Sequence, residues 1–242
     1  MKKVGVFFAL FMSLLATVPV YAGQYLMPFA PYYSQCGQDK YLNEKCFRNK
    51  RGGVFVDIGA HDGISYSNTY YFEKVLGWRG ICIEPQPDIF KKLIQNRTAI
   101  CIQGAISNFT GTAPFVKISG APEMLSGLQG SYDPRHLDRI GKELAQHGGT
   151  QEVIMVDVFR LEDILKAHGL TKIDFLSLDT EGSEKEILFS IDFNAVHIAY
   201  IVVENNYKDS AIKNYLKKFG YQFVTKIGSD DLFKKKTKYD QP

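Results

Sequence analysis

At 242 residues, with 45% apolar and 23% charged side chains, the chain is long enough for one well-filled core and ordinary for a globular domain. Its net charge of +3 falls to +1, 27 basic against 26 acidic residues, once Lys2 and Lys3 are set aside. That excludes the basic field nucleic-acid binding needs, and Lys234-Lys235-Lys236 reads as a solvated strand end.

Lys2 and Lys3 precede an apolar run from Val4 to Val20, and Val20-Tyr21-Ala22 sets small residues where a signal peptidase cuts. This predicts a signal peptide over residues 1–22, cleaved after Ala22, and an exported (periplasmic or secreted) domain over 23–242. Left uncleaved, residues 4–20 are nearly long enough to anchor the chain in a membrane. Cys36 and Cys46 lie in a polar segment and can form a disulfide in an oxidising compartment. Cys82 and Cys101 fall in strand patterns as small hydrophobes, and none of the four has zinc-site spacing.

From residue 53 short apolar runs alternate with helical periodicity. Val54 to Ile58 is a strand ending at Gly59. Ser67 or Asn68 caps a helix carrying Phe72, Val75 and Leu76. Gly80 to Glu84 is the second strand, and Pro87 opens a helix whose inward face holds Ile89, Phe90, Leu93 and Ile94. Ala99 to Ile106 reads as one third strand. Strands are expected over 111–119 and 151–158, a loop over Gly120 to Gly130, and a helix from Asp133 to Gln146. Then come helix 160–168, strand Ile173 to Asp179, a helix from Ser183, strand Ile198 to Glu204, helix 210–218, and strands near 221–227 and 232–236. Such alternation means one α/β domain, a mostly parallel sheet with helices on both faces. Ligands of such sheets bind beyond the strands' carboxyl ends, where strand order reverses.

The chemistry-bearing residues gather at those ends. Asp57-Ile58-Gly59-Ala60-His61-Asp62-Gly63 ends a strand in an acid and a glycine turn, letting backbone approach a ligand closely. The spacing is neither G-x-G-x-x-G nor a P-loop, which disfavours a dehydrogenase and excludes P-loop chemistry. Glu84, ending the next strand, can accept hydrogen bonds from both hydroxyls of a ribose. Together they indicate a nucleoside ligand. Asp179-Thr180-Glu181-Gly182 ends the fourth long strand, where two carboxylates can orient a hydroxyl, take its proton or hold a divalent metal. Alternatively, Glu181 caps the helix that follows. Glu204, beside Asn205 and Asn206, is a third acidic candidate. Met124 to His136, with Ser126-Gly127-Leu128, Tyr132, Arg135 and His136, is placed on an acceptor wall, with plain packing the alternative; His61 reads as a base or as a solvent-facing side chain and is given no role.

Ser34-Gln35-Cys36-Gly37-Gln38-Asp39, Val54 to Gly63, Ser67-Asn68-Thr69, Ile83-Glu84-Pro85 and Asp174 to Glu184 resemble, in order, the pattern of the FkbM methyltransferases. The resemblance runs from about Ser34 to Lys236. It implies a Rossmann-like class I methyltransferase with a seven-stranded sheet and S-adenosylmethionine as cofactor. It would place the cofactor on Asp57, Gly59, Ala60, Asp62, Gly63, Asn68, Glu84, Pro85 and Ala105, with Gln103 to Ser107 beside the adenine. Asp179, Glu181 and Glu204 would serve catalysis. The implied reaction is O-methylation of a hydroxyl on a glycan or small molecule. No metal ligand or oligomeric state is assigned. Export removes the domain from the cytosolic methyl donor, so the alternative is an exported, non-catalytic binding module on the same scaffold.

Overall fold

A computed structural model describes residues 32–237; the expected signal peptide or anchor lies outside the described residues. No described helix is long and apolar enough to cross a membrane.

The apolar run at Val54 forms β1 (Val54–Ile58), buried on both faces as a central parallel strand must be. It pairs in parallel with β2 (Arg79–Glu84), which pairs with β3 (Ile100–Gln103). Between them lie α2 (Tyr70–Lys74), after the short α1 (Gln38–Tyr41), and α3 (Pro87–Asn96). Next in sequence are β4 (Ala105–Ser107), β5 (Gly111–Ser119), β6 (Gly127–Leu128), α4 (Pro134–His147) and β7 (Thr150–Arg160). The alternation then resumes as α5 (Leu161–Ala167), β8 (Lys172–Leu178), α6 (Glu184–Ser190), β9 (His197–Glu204), α7 (Ser210–Lys218), β10 (Tyr221–Ile227) and β11 (Asp230–Lys235).

The main sheet has seven strands in the order β10-β11-β9-β8-β1-β2-β3, with β11 antiparallel to both neighbours. Order reverses between β1 and β8, so the crevice opens beyond Ile58 and Leu178. Backbone bonds pin it: Asp179 N donates to Ile58 O, while Gly59 N and Ala60 N both donate to Ile83 O, each at 3.0 Å. One continuous core of Val, Ile, Leu and Phe fills the space between this sheet and its helices.

A second sheet, β4-β7-β5-β6, is inserted between β3 and α5. It has small cores of its own, one of Ala105, Phe115, Leu128, Val156 and Val158, the other of Val116, Ile118, Leu125 and Ile140.

Several expectations are corrected. Ala99 to Ile106 is not one strand: at Gly104 (φ 154°) the chain leaves the main sheet for the small one, and a Cβ there would lie 2.6 Å from Phe159. The helix after Asn68 is a single turn, and Val75 and Ile94 are exposed, 37% and 51%. The segment expected as a loop contains a helical turn at Glu123–Leu125 and the strand Gly127–Leu128 on β5. Cys36 and Cys46 are free thiols, because Cys36 abuts Gly228 while Cys46 faces Tyr200. Cys82 and Cys101 sit side by side in register on β2 and β3, as the strand patterns required.

Candidate active site

A cavity of about 500 Å³ lies over the carboxyl ends of β1, β2 and β8. Its floor is the turn after β1. At Gly59 (φ 84°) a Cβ would stand 1.7 Å from the Asp179 carbonyl, so only glycine lets the two strand ends meet. The small sheet closes one side through Phe115, Glu123, Met124 and Leu128, and Gln35, Cys36 and Gln38 close another. That N-terminal segment is tied down by Gln38 Nε2, which donates to Asp230 Oδ2 at 2.9 Å, and by Asp39, which accepts from Tyr33 N at 2.6 Å.

Glu84 is buried at the end of β2, its Oε2 accepting from His61 N (3.0 Å) and Oε1 from Gln86 N (2.8 Å). Both oxygens are fixed in direction and keep a lone pair for a ligand. Burial pushes this carboxyl up to about 7 against the pull of those amides. Asp57 also lines the cavity, but its carboxylate is engaged below by the Thr69 hydroxyl, with Arg97 3.8 Å away. Ser67 Oγ accepts from Thr69 N and Tyr70 N in the turn before α2, whose N-cap position is Thr69, not the expected Ser67 or Asn68. Asn68 instead donates to Ser177 Oγ at 3.1 Å, and its Oδ1, buried at the cavity, has no hydrogen-bond partner.

Ala60, Pro85 and Ala105 line the cavity with Gly59 and Glu84. Asp62 and Gly63 do not. Asp62 Oδ1 accepts from Ile64 N and Ser65 N, and Gly63 backs onto Arg97 and Leu93. They shape the turn from behind. His61 is largely buried; its Nε2 lies 3.3 Å from Glu123 Oε1, out of hydrogen-bond alignment.

Asp179, Glu181 and Glu204 come together with one oxygen of each within 4.8 Å of the others. Burial pushes all three well above the ordinary carboxylate range. After burial, the largest upward push comes from Glu204 on Asp179, from Asp179 on Glu181 and from Glu181 on Glu204. Carboxylate oxygens suit a hard divalent cation as well as a proton, and no further observation assigns an ion to the cluster. Glu181 does not cap α6. The helix's N-cap position is Ser183, and Glu184, the first residue of the helix, accepts from Thr180 N (2.8 Å) and Gly182 N (3.0 Å) of the preceding loop. Glu181, at φ 57°, turns the other way, toward α4.

Sequence reasoning gave no role to Arg97, whose side chain is fully buried. It donates to Glu73 Oε2 (2.6 Å), Thr69 Oγ1 (2.9 Å) and Gly63 O (3.2 Å). A lone arginine at a helix end carries no pattern that distinguishes it from a solvated one.

The model of the methyltransferase FkbM domain matches residues 57–223, well over half of the chain. The chain belongs to the FkbM methyltransferase family. Methyltransferase sdnD of Sordaria araneosa is 26% identical over 178 residues, 65% of this chain and 68% of that protein. The 31-O-demethyl-FK506 methyltransferase FkbM of Streptomyces tacrolimicus is 31% identical over 109 residues, 44% of this chain and 41% of its own length. A crystal structure of FkbM from Methylobacillus flagellatus KT has a TM-score of 0.48 at 16% identity, over 84% of this chain and 48% of that one. The chain thus spans about half the length of that solved FkbM protein.

Membership makes the chain a methyltransferase domain with S-adenosylmethionine as its cofactor. The residues present fit that molecule. Glu84 offers fixed acceptors to a ribose diol. Gly104, Ala105 and Ile106, at the far side of the sheet beside Phe115, offer an apolar slot to a base. At the opposite side, the cluster of Asp179, Glu181 and Glu204 and the unpartnered Asn68 Oδ1 offer acceptors to a ligand end that donates.

Proposed function

We propose that this FkbM domain methylates a hydroxyl oxygen of a polar, sugar-like acceptor, a glycan or a small molecule. One observation carries the reading. Glu181, Glu204 and Asn206 stand between the cofactor cavity and a second hollow of about 500 Å³ and line both. The second hollow is walled by Asp133, Arg135, Lys185, Asn205, Tyr207 and Lys208, with Ile212 its one aliphatic residue. Paired donors and acceptors of that kind suit a ligand rich in hydroxyls, not an apolar one.

When bound, the cofactor supplies an activated methyl group on a sulfonium. The chain's task is alignment, which contributes roughly 7–11 kcal/mol to such reactions. Glu84 and the turn at Gly59 fix the cofactor's nucleoside half. Glu181 and Glu204 face the acceptor, and a carboxyl there that takes the hydroxyl proton adds about 10²–10⁴-fold. Asp179 sits deeper, behind Gly59, and sets the field around them.

The test is calorimetry of residues 23–242 with S-adenosylmethionine, followed by transfer of labelled methyl to glycan and to apolar alcohol acceptors. Glu84→Ala is expected to weaken the cofactor about 10- to 100-fold, the value of a charged hydrogen bond. Glu181→Ala is expected to slow transfer while binding changes less. Transfer only to apolar alcohols overturns the acceptor assignment.

Export is proposed on the sequence of residues 1–22 alone. The mature protein's mass is expected to lack those 22 residues; an intact chain in the membrane fraction would mean the anchor instead.

A further inference from the structure

Helix α4 sets two side chains on Glu181: His136 Nδ1 lies 3.4 Å and Arg139 Nη1 3.7 Å from Glu181 Oε2. His136 is 1% exposed and stacked on Tyr132, ring centroids 4.8 Å apart and planes 16° from parallel. Its Nε2 lies 3.2 Å from the carbonyl oxygen of Leu125. A carbonyl only accepts, so Nε2 carries a proton, and in the neutral ring Nδ1 then holds a lone pair. Nδ1 lies 3.4 Å from Glu181 Oε2, an oxygen sealed from solvent with no hydrogen-bonded donor, and a small turn of either side chain aligns the two. Two lone pairs at this separation repel; one proton between them makes a hydrogen bond.

We propose that Glu181 and His136 hold one proton between them, and that His136, as a positioning residue, receives through Glu181 the proton of the acceptor hydroxyl. This rests on the hydroxyl-methylation reading above and extends it beyond the carboxylates. The new oxygen–methyl bond forms as the methyl–sulfur bond breaks, its electron pair remaining on sulfur. The hydroxyl proton passes to Glu181 Oε1 while the proton on Oε2 passes to His136 Nδ1. Glu181 stays neutral throughout, and the imidazolium so formed keeps its Nε2 bond to Leu125.

The surroundings favour the resting pair in which both groups are neutral. Glu181 is faced by Asp179, by Glu184 from α6, by Glu204 from β9 and by Asp230 from β11. Arg139 is the cation among them that favours its charged form. Burial and then Asp179 hold its carboxyl well above the usual range. Burial holds His136 below its ordinary value, with Arg139 acting in the same direction and the Leu125 carbonyl and Asp133 opposing. Both partners are thereby kept neutral, the state in which one proton lies between them.

Nitrogen NMR of the full chain with ¹⁵N-labelled histidine tests this, its five histidines assigned by single substitutions. In the wild type, His136 is expected to be protonated on Nε2, with Nδ1 displaced from the position of an unbonded ring nitrogen and titrating in two steps. Glu181→Ala returns Nδ1 to the unbonded position. Glu181→Gln, of the same shape, keeps the tautomer but leaves a single step. A wild-type Nδ1 at the unbonded position, or one titration shared by all three proteins, overturns the proposal. Calorimetry with S-adenosylmethionine on the same samples separates the two readings. Intact cofactor binding beside unchanged His136 spectra rejects the shared proton alone, whereas absent binding in the wild type rejects the reading beneath it.

Discussion

Glu84 is buried against two backbone amides, and its carboxyl is pushed up to about 7 from an ordinary 4.5. For an acid raised on folding, the stability contribution is complete below 4.5 and is lost as pH rises through 7. Ligand binding has the opposite sign, because an ionised carboxylate accepts from the ribose hydroxyls while a protonated one gives up part of that capacity. Between pH 6 and 8 the ionised fraction rises roughly tenfold. Cofactor affinity is expected to rise by about that factor over the interval, while the melting temperature of the free protein falls. Glu84→Gln flattens the Glu84 part of both curves. A wild-type dissociation constant that stays level from pH 6 to 8 would show that Glu84 does not titrate at the ligand. This carboxylate was legible from sequence, since an apolar strand that stops at an acid marks the place where the chain leaves the core. The partners of Glu181 were not. His136 is 45 positions away, and only the fold of the inserted sheet brings it across.

Between β1 and β3, the elements are joined by a buried polar knot. Arg97, just past α3, holds Glu73 of α2, the Thr69 hydroxyl and the Gly63 carbonyl of the turn after β1. Glu73 also accepts from Thr98 N at 2.7 Å, and despite its burial Arg97 draws its carboxyl down to about 2. An acid lowered on folding contributes stability above its ordinary 4.5 that is lost as pH falls toward 2. Arg97→Met keeps most of the volume and leaves buried Glu73 only the partly exposed Lys74, 3.0 Å from its Oε1, as cation, which costs up to about 3–5 kcal/mol. Urea unfolding at pH 7 reads that loss. Glu73→Gln added to Arg97→Met is expected to restore part of it, whereas strictly additive losses would mean the pair is not coupled. The strands that bound this knot could be read from their apolar runs. The break at Gly104 could not: Gln103-Gly104 interrupts the apolar run from Ile100 to Ile106, but a glycine inside a strand marks a bulge as readily as a change of sheet. Periodicity reports which faces are covered; it does not report by what.

On the scale of the whole molecule, the cavity proposed for the cofactor belongs to both sheets. Its floor is the reversal of strand order at β1 and β8, and Phe115, Glu123, Met124 and Leu128 of the insertion form a wall. The small sheet rests on short cores of its own, so its opening does not require the main sheet to unfold. A ligand that binds only the closed arrangement must stabilise every unit that lines its site, by about 2.7 kcal/mol at 100 times the dissociation constant. Backbone amides of β5 and β7 are therefore expected to exchange with deuterium about 100-fold more slowly at that concentration of S-adenosylmethionine. Amides at the centre of β1 and β8, which open only with the whole domain, slow by a comparable factor. Slowing confined to the main sheet would mean that the insertion opens with the cofactor still bound, and that its wall is not part of the cofactor site. Slowing in both would also bring α4 into the closed state, since His136 and Arg139 meet Glu181 only while the insertion is docked. Cofactor binding and the proton path from Glu181 to His136 would then be assembled by one closure.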